Sequence, residues 1–323
     1  MFPPKFWDQR GPLSSFLVPV SWVYNSIRVI SKPLHHPITA PVPVLCVGNL
    51  NIGGSGKTPV AISIGQKLKR AGYIPHFLTR GYGGNLKKPT QVDPSHHTAR
   101  DVGDEPLLLS NIAPVWIGAN RASSAALACA AGADFLIMDD GFQNLSLKQD
   151  LSLLVIDGET GFGNGRVIPA GPLREDINSG IKRADAIVLI GDDTQSITQN
   201  INLPILKARM QPANIAGLQG EKFVAFAGIG RPKKFFDTLR KFSCDLILER
   251  EFPDHHHFTH SELEELLTIS EQCKASLITT EKDFVRIPGH FRSSINVLKI
   301  EIEWIDPNFD KIFLKNFLKI WQK

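Results

Sequence analysis

The stretch at residues 47–60, VGNLNIGGSGKTPV, decides how the rest of the chain is interpreted. Its end, Gly56-Lys57-Thr58, matches the end of the phosphate-binding pattern G-x-x-x-x-G-K-[ST], but Asn51 stands where that pattern has its first glycine. Such a loop needs residues that tolerate positive φ, so that backbone N–H groups converge on phosphate oxygens, and asparagine tolerates it best after glycine. With an apolar strand before it and a helix after it, the stretch predicts a nucleotide-binding loop rather than a glycine-rich turn without a ligand.

The residue types within this loop indicate separate roles. We expect the Lys57 ammonium group to reach the β- and γ-phosphates of a nucleotide, and the Thr58 hydroxyl to ligate Mg²⁺. The nucleotide-binding residues predicted here are Asn51, Ile52, Gly53, Gly54, Ser55, Gly56, Lys57 and Thr58.

Short, nearly continuous apolar runs alternate with helical patterns through the first two thirds of the chain. Such runs suit strands buried on both faces, so they predict a mostly parallel sheet in a doubly wound, P-loop NTPase-like α/β domain. The runs interpreted as strands are 43–47, 74–78, 114–118, 134–138, 151–156 and 185–190. Helical patterns at 59–70 and 121–131 separate some of them.

The alternation of strand and helix pauses near residues 204–220, and a smaller α/β pattern follows. A chain of 323 residues is also longer than one core usually holds. We therefore predict an N-terminal helix at 1–33, a nucleotide-binding domain at 34–212 and a smaller C-terminal α/β lobe at 213–323. The tail of that lobe, from Pro307, has the pattern of a basic amphipathic helix.

Composition limits the possible partners. The net charge is +4 and the pI about 8.8, which fits an anionic ligand or a negative membrane face and gives little reason to propose nucleic acid. The four cysteines are dispersed, without a CxxC or Cys/His zinc pairing, so we expect reduced thiols in a cytosolic setting.

The N-terminal segment combines apolar and interfacial residues without a run long enough to span a bilayer. From Pro19 onward, apolar side chains recur on one helical face, at Val20, Val23, Ile27 and Ile30. Residues suited to a headgroup boundary accompany them at Trp22, Tyr24, Arg28 and Lys32. The pattern predicts either a helix packed on the domain or a helix lying on a membrane surface. A signal peptide fits less well, because Pro19 interrupts the apolar part and no small-x-small site follows.

Two acidic pairs are candidates for chemistry. Asp139 and Asp140 end an apolar strand in DFLIMDDGFQ, the position where a P-loop enzyme needs a carboxylate for Mg²⁺. Asp104 and Glu105 follow a glycine and precede Pro106, which suits the first turn of a helix. The second pair also has a simpler interpretation, because acidic residues at a helix N-terminus favour the helix dipole without any catalysis.

Basic residues follow several of the predicted strands. Arg80 in LTRGYGG could face a phosphate or lie on a surface turn, and Arg121 in GANR follows a strand where ligands bind in open α/β sheets. Arg174 lies on the glycine- and proline-rich loop RVIPAGPLRE, which either forms an anion-binding edge or covers the sheet. The histidines of FPDHHHFTH are one candidate for a metal site, although consecutive histidines do not face one point on regular structure. A capping box from Thr259 leads this loop into a helix.

Taken in order, these segments resemble the tetraacyldisaccharide 4′-kinases of lipid A synthesis. The resemblance runs from the N-terminal helix to about Arg286, and the order of the segments is more specific than any one of them. The segments are VGNLNIGGSGKTPV, LTRGYGG, VGDEP, GANR, MDDGFQ, RVIPAGPLRE, FPDHH and TEKDFVR.

The resemblance implies an activity. Proteins of this family transfer the γ-phosphate of ATP to the 4′-hydroxyl of a lipid-linked glucosamine disaccharide 1-phosphate, forming lipid IVA on the cytoplasmic face of the inner membrane. ATP and Mg²⁺ are therefore the expected cofactors, and the membrane surface and the lipid disaccharide the expected partners. A second lobe, joined by a ribbon-like hinge, is expected to close over ATP.

The resemblance also implies roles for residues. Asp104 matches the family's catalytic base, paired with a histidine that we take as His255, with His256 as the alternative. Arg121 is expected near the transferring phosphate, and Asp139 and Asp140 on the metal side. The residues assigned to substrate binding are Glu105, Arg80, Gln143 and Arg174. The residues assigned to the metal are Thr58, Asp139, Asp140 and Glu105.

Two other classes of protein are compatible with parts of the sequence. A P-loop GTPase or an ATP-driven metallochaperone fits GGSGKT and the histidine cluster, but a guanine-specific NKxD sequence is absent. A non-catalytic nucleotide-binding adaptor docked on membranes by its first helix is the other. The adaptor predicts that Asp104→Ala leaves biochemical activity untouched, whereas the kinase predicts a large loss of turnover.

Overall fold

The computed structural model describes residues 4–31 and 36–306, with the side chains of 28–31 and 200 left out of the description. Within these limits the strands are β1 (Val44–Gly48), β2 (Pro75–Thr79), β3 (Thr90–Gln91), β4 (Val115–Ile117), β5 (Phe135–Asp139), β6 (Leu151–Asp157), β7 (Ala186–Ile190), β8 (Ile205–Pro212), β9 (Lys222–Ala227), β10 (Asp245–Glu251), β11 (Ser276–Thr280), β12 (Ile295–Leu298) and β13 (Ile300–Trp304). The α-helices are α1 (Pro12–Phe16), α2 (Val18–Ser31), α3 (Lys57–Arg70), α4 (Ala99–Val102), α5 (Asp104–Ser110), α6 (Arg121–Ala130), α7 (Ile177–Ile181), α8 (Pro232–Lys241), α9 (His260–Cys273) and α10 (Glu281–Phe284). Short 3-10 helices lie at Lys5–Trp7, Ile197–Asn200, Ile215–Gly217 and Gly289–Ser294.

A nine-stranded sheet organises the larger part of the molecule, in the order β13-β8-β7-β6-β1-β5-β2-β4-β3. The strands from β8 to β4 pair in parallel. Every residue of β1, β2, β4, β5 and β7 is buried, which is why their sequences are almost continuously apolar. Separate apolar cores cover the two faces of the sheet. The predicted doubly wound α/β class is confirmed.

A smaller sheet of four parallel strands, in the order β10-β9-β11-β12, forms the second lobe. Helix α8 buries Phe235, Phe236 and Leu239 on one face of it, and α9 buries Leu263 and Leu266 on the other. The strands and helices expected in this part of the sequence are thus present as a packed α/β unit.

The chain returns from the smaller lobe to the large sheet, which the sequence interpretation did not anticipate. Strand β13 pairs antiparallel with β8, so residues 300–304 are part of the nine-stranded sheet and not of a lobe that runs from 213 to the end. The backbone of Ala213 also donates to Lys299 O, so two adjacent strands lead into and out of the lobe. The predicted helix after Pro307 lies outside the described residues.

Helix α2 presents its apolar side chains to the outside. Val20, Trp22, Val23 and Ile27 are 53 to 68% exposed, whereas Ser21 of the same helix is buried against the protein. Of the residues predicted for the apolar face and the headgroup boundary, Ile30, Arg28 and Lys32 have no described side chain. No helix in the described ranges combines the length and the apolar character needed to cross a bilayer. A role for α2 at a membrane stays a prediction.

Candidate functional site

The loop between β1 and α3 has the positive-φ glycines expected of a phosphate-binding loop. At its start, however, Asn51 does not take the conformation predicted for it. Gly53 and Gly56 take positive φ, at 122° and 84°. Asn51 does not, contrary to the idea that asparagine replaces the missing glycine in that conformation. Instead Asn51 forms an antiparallel bridge to Leu173, and its side-chain amide donates to Gly161 O at 2.9 Å. Asparagine is therefore suited to this position as a hydrogen-bonding anchor.

The first turn of α3 is left open to an anion. Gly56 precedes the helix, and no side chain caps its N-terminus. The positive φ of Gly56 favours glycine, and a Cβ there would also have to displace the end of the Ile190 side chain, 2.5 Å away. Uncapped N–H groups at a helix N-terminus favour a bound phosphate.

Lys57 begins α3 and folds back over its own loop. Its ammonium group lies 3.5 Å from Gly53 O and 3.7 Å from an Asp140 carboxylate oxygen. Burial lowers the pKa of Lys57, while the negative charge of Asp140 opposes the shift. A desolvated ammonium group beside open N–H groups is the arrangement that favours a polyphosphate.

Asp139, at the end of β5, is the acceptor for Thr58. The Thr58 hydroxyl donates to Asp139 Oδ2 at 3.0 Å, and Oδ1 is buried without any partner among the described residues. Burial raises the pKa of this carboxyl to about 7, with a further contribution from the charge of Asp140. A buried carboxylate oxygen that lacks a donor and lies beside a threonine hydroxyl is consistent with a cation site, so these residues fit Mg²⁺.

Asp140 is held by a network centred on Arg174. The Arg174 guanidinium donates to both carboxylate oxygens of Asp140, at 2.8 and 3.1 Å, and also to Gln143 Oε1 at 3.2 Å. The Gln143 amide in turn donates to Asn49 O and to Glu175. Because both ends of its side chain are engaged by the protein, Gln143 orients Arg174 in this structure, and substrate binding by Gln143 stays a prediction.

The loop that carries Arg174 links the N-terminal helices to the phosphate loop. Ser21 of α2 donates to Val167 O at 2.8 Å and accepts from the Ala170 N–H. A few residues later, Pro172 O accepts from the Ile52 N–H at 2.8 Å, inside the phosphate loop. The loop therefore packs over the sheet, with Leu173 in the apolar core, and contacts the phosphate loop. Its role as an anion-binding edge stays a prediction.

The second acidic pair faces the smaller lobe. Asp104, at the start of α5, is buried, and its Oδ2 lies 2.8 Å from His255 Nδ1. His256 bonds to Glu262 instead, at 3.0 and 3.1 Å, within its own lobe. The geometry therefore places His255, and not His256, beside Asp104.

Two basic residues complete the surroundings of this pair, and the sequence interpretation assigned a role to neither. Arg286 Nε lies 3.4 Å from Asp104 Oδ2, and Lys282 lies 3.0 Å from Glu105 and 3.3 Å from His255 Nε2. Burial alone would raise the pKa of Asp104, but the His255 hydrogen bond and the Arg286 charge lower it overall. The only sequence signal was the segment TEKDFVR, which is about 180 residues away from Asp104.

The remaining predicted residues differ in burial. Arg121 is buried and donates to Gly118 O, while its Nε has no partner among the described residues. Burial lowers the pKa of Arg121 to about 10, and the nearby charge of Asp140 opposes that shift. Arg80 is exposed. Both are consistent with contact to an anion from outside the chain.

The acidic residues do not form a metal cage by themselves. Among the residues that the structure describes, no three His, Cys, Asp or Glu side chains are grouped so as to hold a metal ion. Glu105 is paired with Lys282, so its assignment as a metal ligand stays a prediction. A site of one or two carboxylates is typical where substrate phosphates complete the coordination of Mg²⁺.

The fold and the site together define a P-loop phosphotransferase, with a nucleotide cradle on one lobe and a buried carboxylate–histidine pair between the lobes. The comparisons with known proteins narrow this class. The profile of the family described as tetraacyldisaccharide-1-P 4′-kinase matches residues 13–318. The chain belongs to this family.

Relatives and a solved structure agree with this assignment. The chain is 47% identical over 312 residues to the tetraacyldisaccharide 4′-kinase of Gluconobacter oxydans, covering 94% of each protein. It is 46% identical over 318 residues to that of Rhodospirillum centenum, covering 94% of this chain and 93% of the relative. The structure of LpxK from Aquifex aeolicus in complex with ATP matches with a TM-score of 0.77 at 26% identity, covering 96% of this chain and 99% of that one.

Proposed function

We propose that this kinase transfers the γ-phosphate of ATP to the 4′-hydroxyl of a tetraacyl glucosamine disaccharide 1-phosphate, forming lipid IVA in lipid A synthesis. The observation that carries the proposal is the proximity of two features in one molecule. The open phosphate cradle at Gly56 and Lys57 lies on the large lobe, and the buried Asp104–His255 pair lies where the small lobe meets it. The negative charge of Glu105, next to Asp104, makes a small contribution that raises the pKa of Lys57 against the effect of burial.

The proposed mechanism relies on alignment and charge neutralisation. The loop N–H groups and Lys57 hold the triphosphate, and Arg174 and Arg121 stabilise charge that develops on the transferring group. Asp104 accepts the proton of the sugar hydroxyl late in the reaction, and His255 donates to Asp104 and so holds it in position. Thr58 and Asp139 would hold Mg²⁺, which supplies neutralisation of the β- and γ-phosphate charge when bound.

The substrate's acyl chains require contact with a lipid surface, and α2 is suited to provide it. Its exposed valine, tryptophan and isoleucine side chains face away from the protein, whereas its Ser21 bonds to the loop that carries Arg174. We propose that α2 lies on the cytoplasmic face of the inner membrane with this apolar face in the lipid. The mild positive charge of the chain suits anionic headgroups there, and nothing in the site calls for nucleic acid.

The test is phosphoryl transfer by the Asp104→Asn variant. Labelled ATP and the lipid A disaccharide 1-phosphate are supplied in mixed micelles, and kcat and KM for ATP are measured. We expect kcat to fall by about 10²–10⁴-fold, the scale of a lost general base, with KM for ATP within about threefold of wild type. Asp237→Asn, which changes an exposed aspartate on α8, is the matched control and should retain full activity.

Two outcomes would overturn parts of the proposal. If the wild-type enzyme transferred no label to the lipid, the substrate assignment would be wrong. If Asp104→Asn kept the wild-type kcat, Asp104 would not be the base, and the non-catalytic adaptor would regain support. GTP in place of ATP separates a GTPase from the kinase, because the kinase should use ATP and a GTPase should not. An ATP-driven metallochaperone is separated by the lipid product, because it should transfer no label to the disaccharide.

A further inference from the structure

Lys282 contacts three charged or titratable groups that the mechanism above does not connect. Its ammonium group is 3.0 Å from Glu105 Oε1, 3.3 Å from His255 Nε2 and 3.9 Å from Asp254 Oδ1. Lys282 belongs to α10 of the small lobe, whereas Glu105 belongs to α5 of the large one. Three-quarters of its side chain is shielded from solvent, so these contacts are made with little competing water.

We propose that Lys282 is a positioning residue that keeps His255 in the neutral tautomer with its proton on Nδ1, the nitrogen that faces Asp104. The proposal rests on the roles proposed above for Asp104 and His255.

The hydrogen-bonding capacities of the groups determine the tautomer. An ammonium group only donates, so His255 Nε2, 3.3 Å from Lys282, must accept and cannot carry a proton while that contact exists. An ionised carboxylate only accepts, so His255 Nδ1, 2.8 Å from Asp104 Oδ2, must donate. Both contacts are satisfied together only by neutral His255 with its proton on Nδ1.

Without Lys282, the charges around His255 favour a different state. The groups that face the ring are Asp104 from α5, Lys282 from α10, Asp254 from the same loop as His255, and the Tyr82 ring with its centroid 5.8 Å away. Asp254 Oδ2 lies 3.9 Å from Nε2. Without the lysine ammonium group, Nε2 loses the donor from which it accepts and faces the Asp254 carboxylate, which only accepts, so hydrogen bonding favours a proton on Nε2 as well as on Nδ1.

The tautomer matters for the proposed proton transfer. The contacts from His255 and Arg286 both reach Asp104 Oδ2, and among the described residues none bonds to Oδ1. Oδ1 is then the oxygen that takes the proton of the sugar hydroxyl. In Lys282→Met, a positive charge on His255, bonded directly to Asp104 Oδ2, would replace the more distant charge of Lys282 and slow proton transfer to Oδ1.

The test combines kinetics with NMR of the full-length enzyme labelled with ¹⁵N-histidine. His255 signals are assigned by their loss in His255→Gln, and long-range ¹H–¹⁵N spectra report which ring nitrogen carries a proton. The wild type should show a proton on Nδ1 only. Lys282→Met should show protons on both nitrogens and a kcat reduced roughly 10- to 100-fold, the scale for partners that orient a working histidine. KM for ATP should stay within about twofold, because Lys282 does not contact the phosphate cradle in this structure.

Two further variants separate positioning from a simple structural role. Lys282→Arg keeps a cation that donates, so it should retain kcat within roughly fivefold of the wild type. Lys282→Met with Asp254→Asn removes both charges, and it should return His255 to the neutral form and recover part of kcat. Lys241→Met, at an exposed position on α8, is the control and should change neither signal nor rate.

Three results would overturn the proposal. They are a wild-type spectrum with Nε2 protonated, an unchanged His255 spectrum in Lys282→Met, and an arginine variant as slow as the methionine variant in a protein that melts like the wild type. The NMR result does not depend on which group is the base. A wild-type kcat in Asp104→Asn would therefore refute the proposed role of Asp104 as the base. The NMR comparison of the wild type with Lys282→Met would still decide the proposal about Lys282.

Discussion

The buried Asp139 carboxyl destabilises the fold when it ionises, but it is also the group proposed to hold Mg²⁺. Its folded-state pKa of about 7 lies above the ordinary value of 3.8, because the carboxyl is buried beside Asp140. The folded protein therefore retains a proton that the unfolded chain loses between about pH 4 and pH 7. Stability falls as the pH rises through that window, and above it the full cost of an ionised, desolvated carboxylate is present. A bound cation would offset this cost.

Asp139→Asn should therefore stabilise the ligand-free protein while it abolishes transfer. The amide keeps an acceptor for Thr58 but cannot ionise, so we expect the melting temperature at pH 8 to rise by several degrees, at about 2–4 °C per kcal/mol. The gain should be smaller at pH 5, where wild-type Asp139 is largely protonated. The melting temperatures of the wild type and the variant are measured by thermal unfolding at pH 5 and pH 8 without Mg²⁺.

The control for this prediction is Asp237→Asn, whose exposed side chain should leave the melting temperature unchanged at either pH. Addition of Mg-ATP should raise the melting temperature of the wild type more than that of Asp139→Asn. A variant that melts below the wild type at pH 8 would show that Asp139 contributes to stability in the absence of a metal.

At the level of single residues, the sequence predicted a functional residue where its role depends on residues close to it in the chain. Gly56, Lys57 and Thr58 could be assigned from one strand–loop–helix pattern, and the aspartates of MDDGFQ from the end of one strand. Lys282 and Arg286 could not, because their contacts with Glu105 and Asp104 join residues about 180 positions apart. Only the packing of one lobe on the other brings them together.

Among the elements, α2 differs from a typical surface helix, because its apolar side chains face outward and a polar side chain is buried. A helix on a globular protein usually buries its apolar stripe, but here Ser21 is buried and bonds to the backbone of the Arg174 loop. The apolar side chains Val20, Val23 and Ile27 are left on the outside, each more than half exposed. Such a face indicates a lipid or protein surface as its partner.

The triple variant Val20→Ser, Val23→Ser and Ile27→Ser should lose membrane binding and keep its fold. These side chains are 53, 60 and 64% exposed, so the melting temperature should change little. Transfer of each from lipid to water costs about 1.5 kcal/mol or more if it is fully buried in the bilayer, so vesicle affinity should fall at least roughly 100-fold. Sedimentation with vesicles that contain anionic lipid measures the affinity.

The matched control changes exposed apolar residues on other elements, with Leu127→Ser on α6 and Ile247→Ser on β10, which are 42 and 41% exposed. These two should bind vesicles like the wild type. In detergent micelles, the triple variant should keep its kcat, because α2 is not part of the proposed chemistry. Equal vesicle affinity in the triple variant and the control would remove α2 from the membrane contact.

Whether a strand could be predicted from the sequence depended on its hydrophobic pattern. Strands β1, β5 and β7 could be predicted because strands buried on both faces must be apolar throughout. Strand β13 has the alternating sequence IEIEW of an edge strand, and nothing local selects β8 as its neighbour. The prediction that 213–323 forms one continuous lobe was therefore wrong for residues 300–304.

Considered as a whole, the molecule divides its proposed catalytic pair between two lobes. Asp104 belongs to the large lobe and His255 to the small one, while β8 and β13 run side by side at the junction. Turnover therefore depends on how the lobes are held together. A ribbon of two strands allows the lobes to approach each other as units, which agrees with the hinge that the family resemblance implies.

A second contact between the lobes lies at the end of β6, on the side chain of Asp157. Its carboxylate is buried, and it lies 3.6 Å from Arg231 and 3.5 Å from Lys234, both on the small lobe. Asp157 Oδ1 also accepts from the backbone N–H groups of the turn that follows β6. That turn includes Gly161, whose carbonyl holds Asn51 of the phosphate loop. The contact thus joins the small lobe to the nucleotide cradle.

Asp157→Asn should weaken the closed arrangement without disturbing either lobe. Asparagine keeps an acceptor for the turn but loses the charge that attracts Arg231 and Lys234. Because both cations are nearly half exposed, the interaction is worth about 1 kcal/mol or less, so we expect kcat to fall about 2- to 5-fold at low salt. Added salt should slow the wild type toward the variant, because screening weakens the same ion pairs.

Asp192→Asn, which removes an ion pair with Arg209 within the large lobe, is the control and should keep wild-type kcat and salt dependence. If the two variants behaved alike, the Asp157 contact would have no part in holding the lobes together for catalysis.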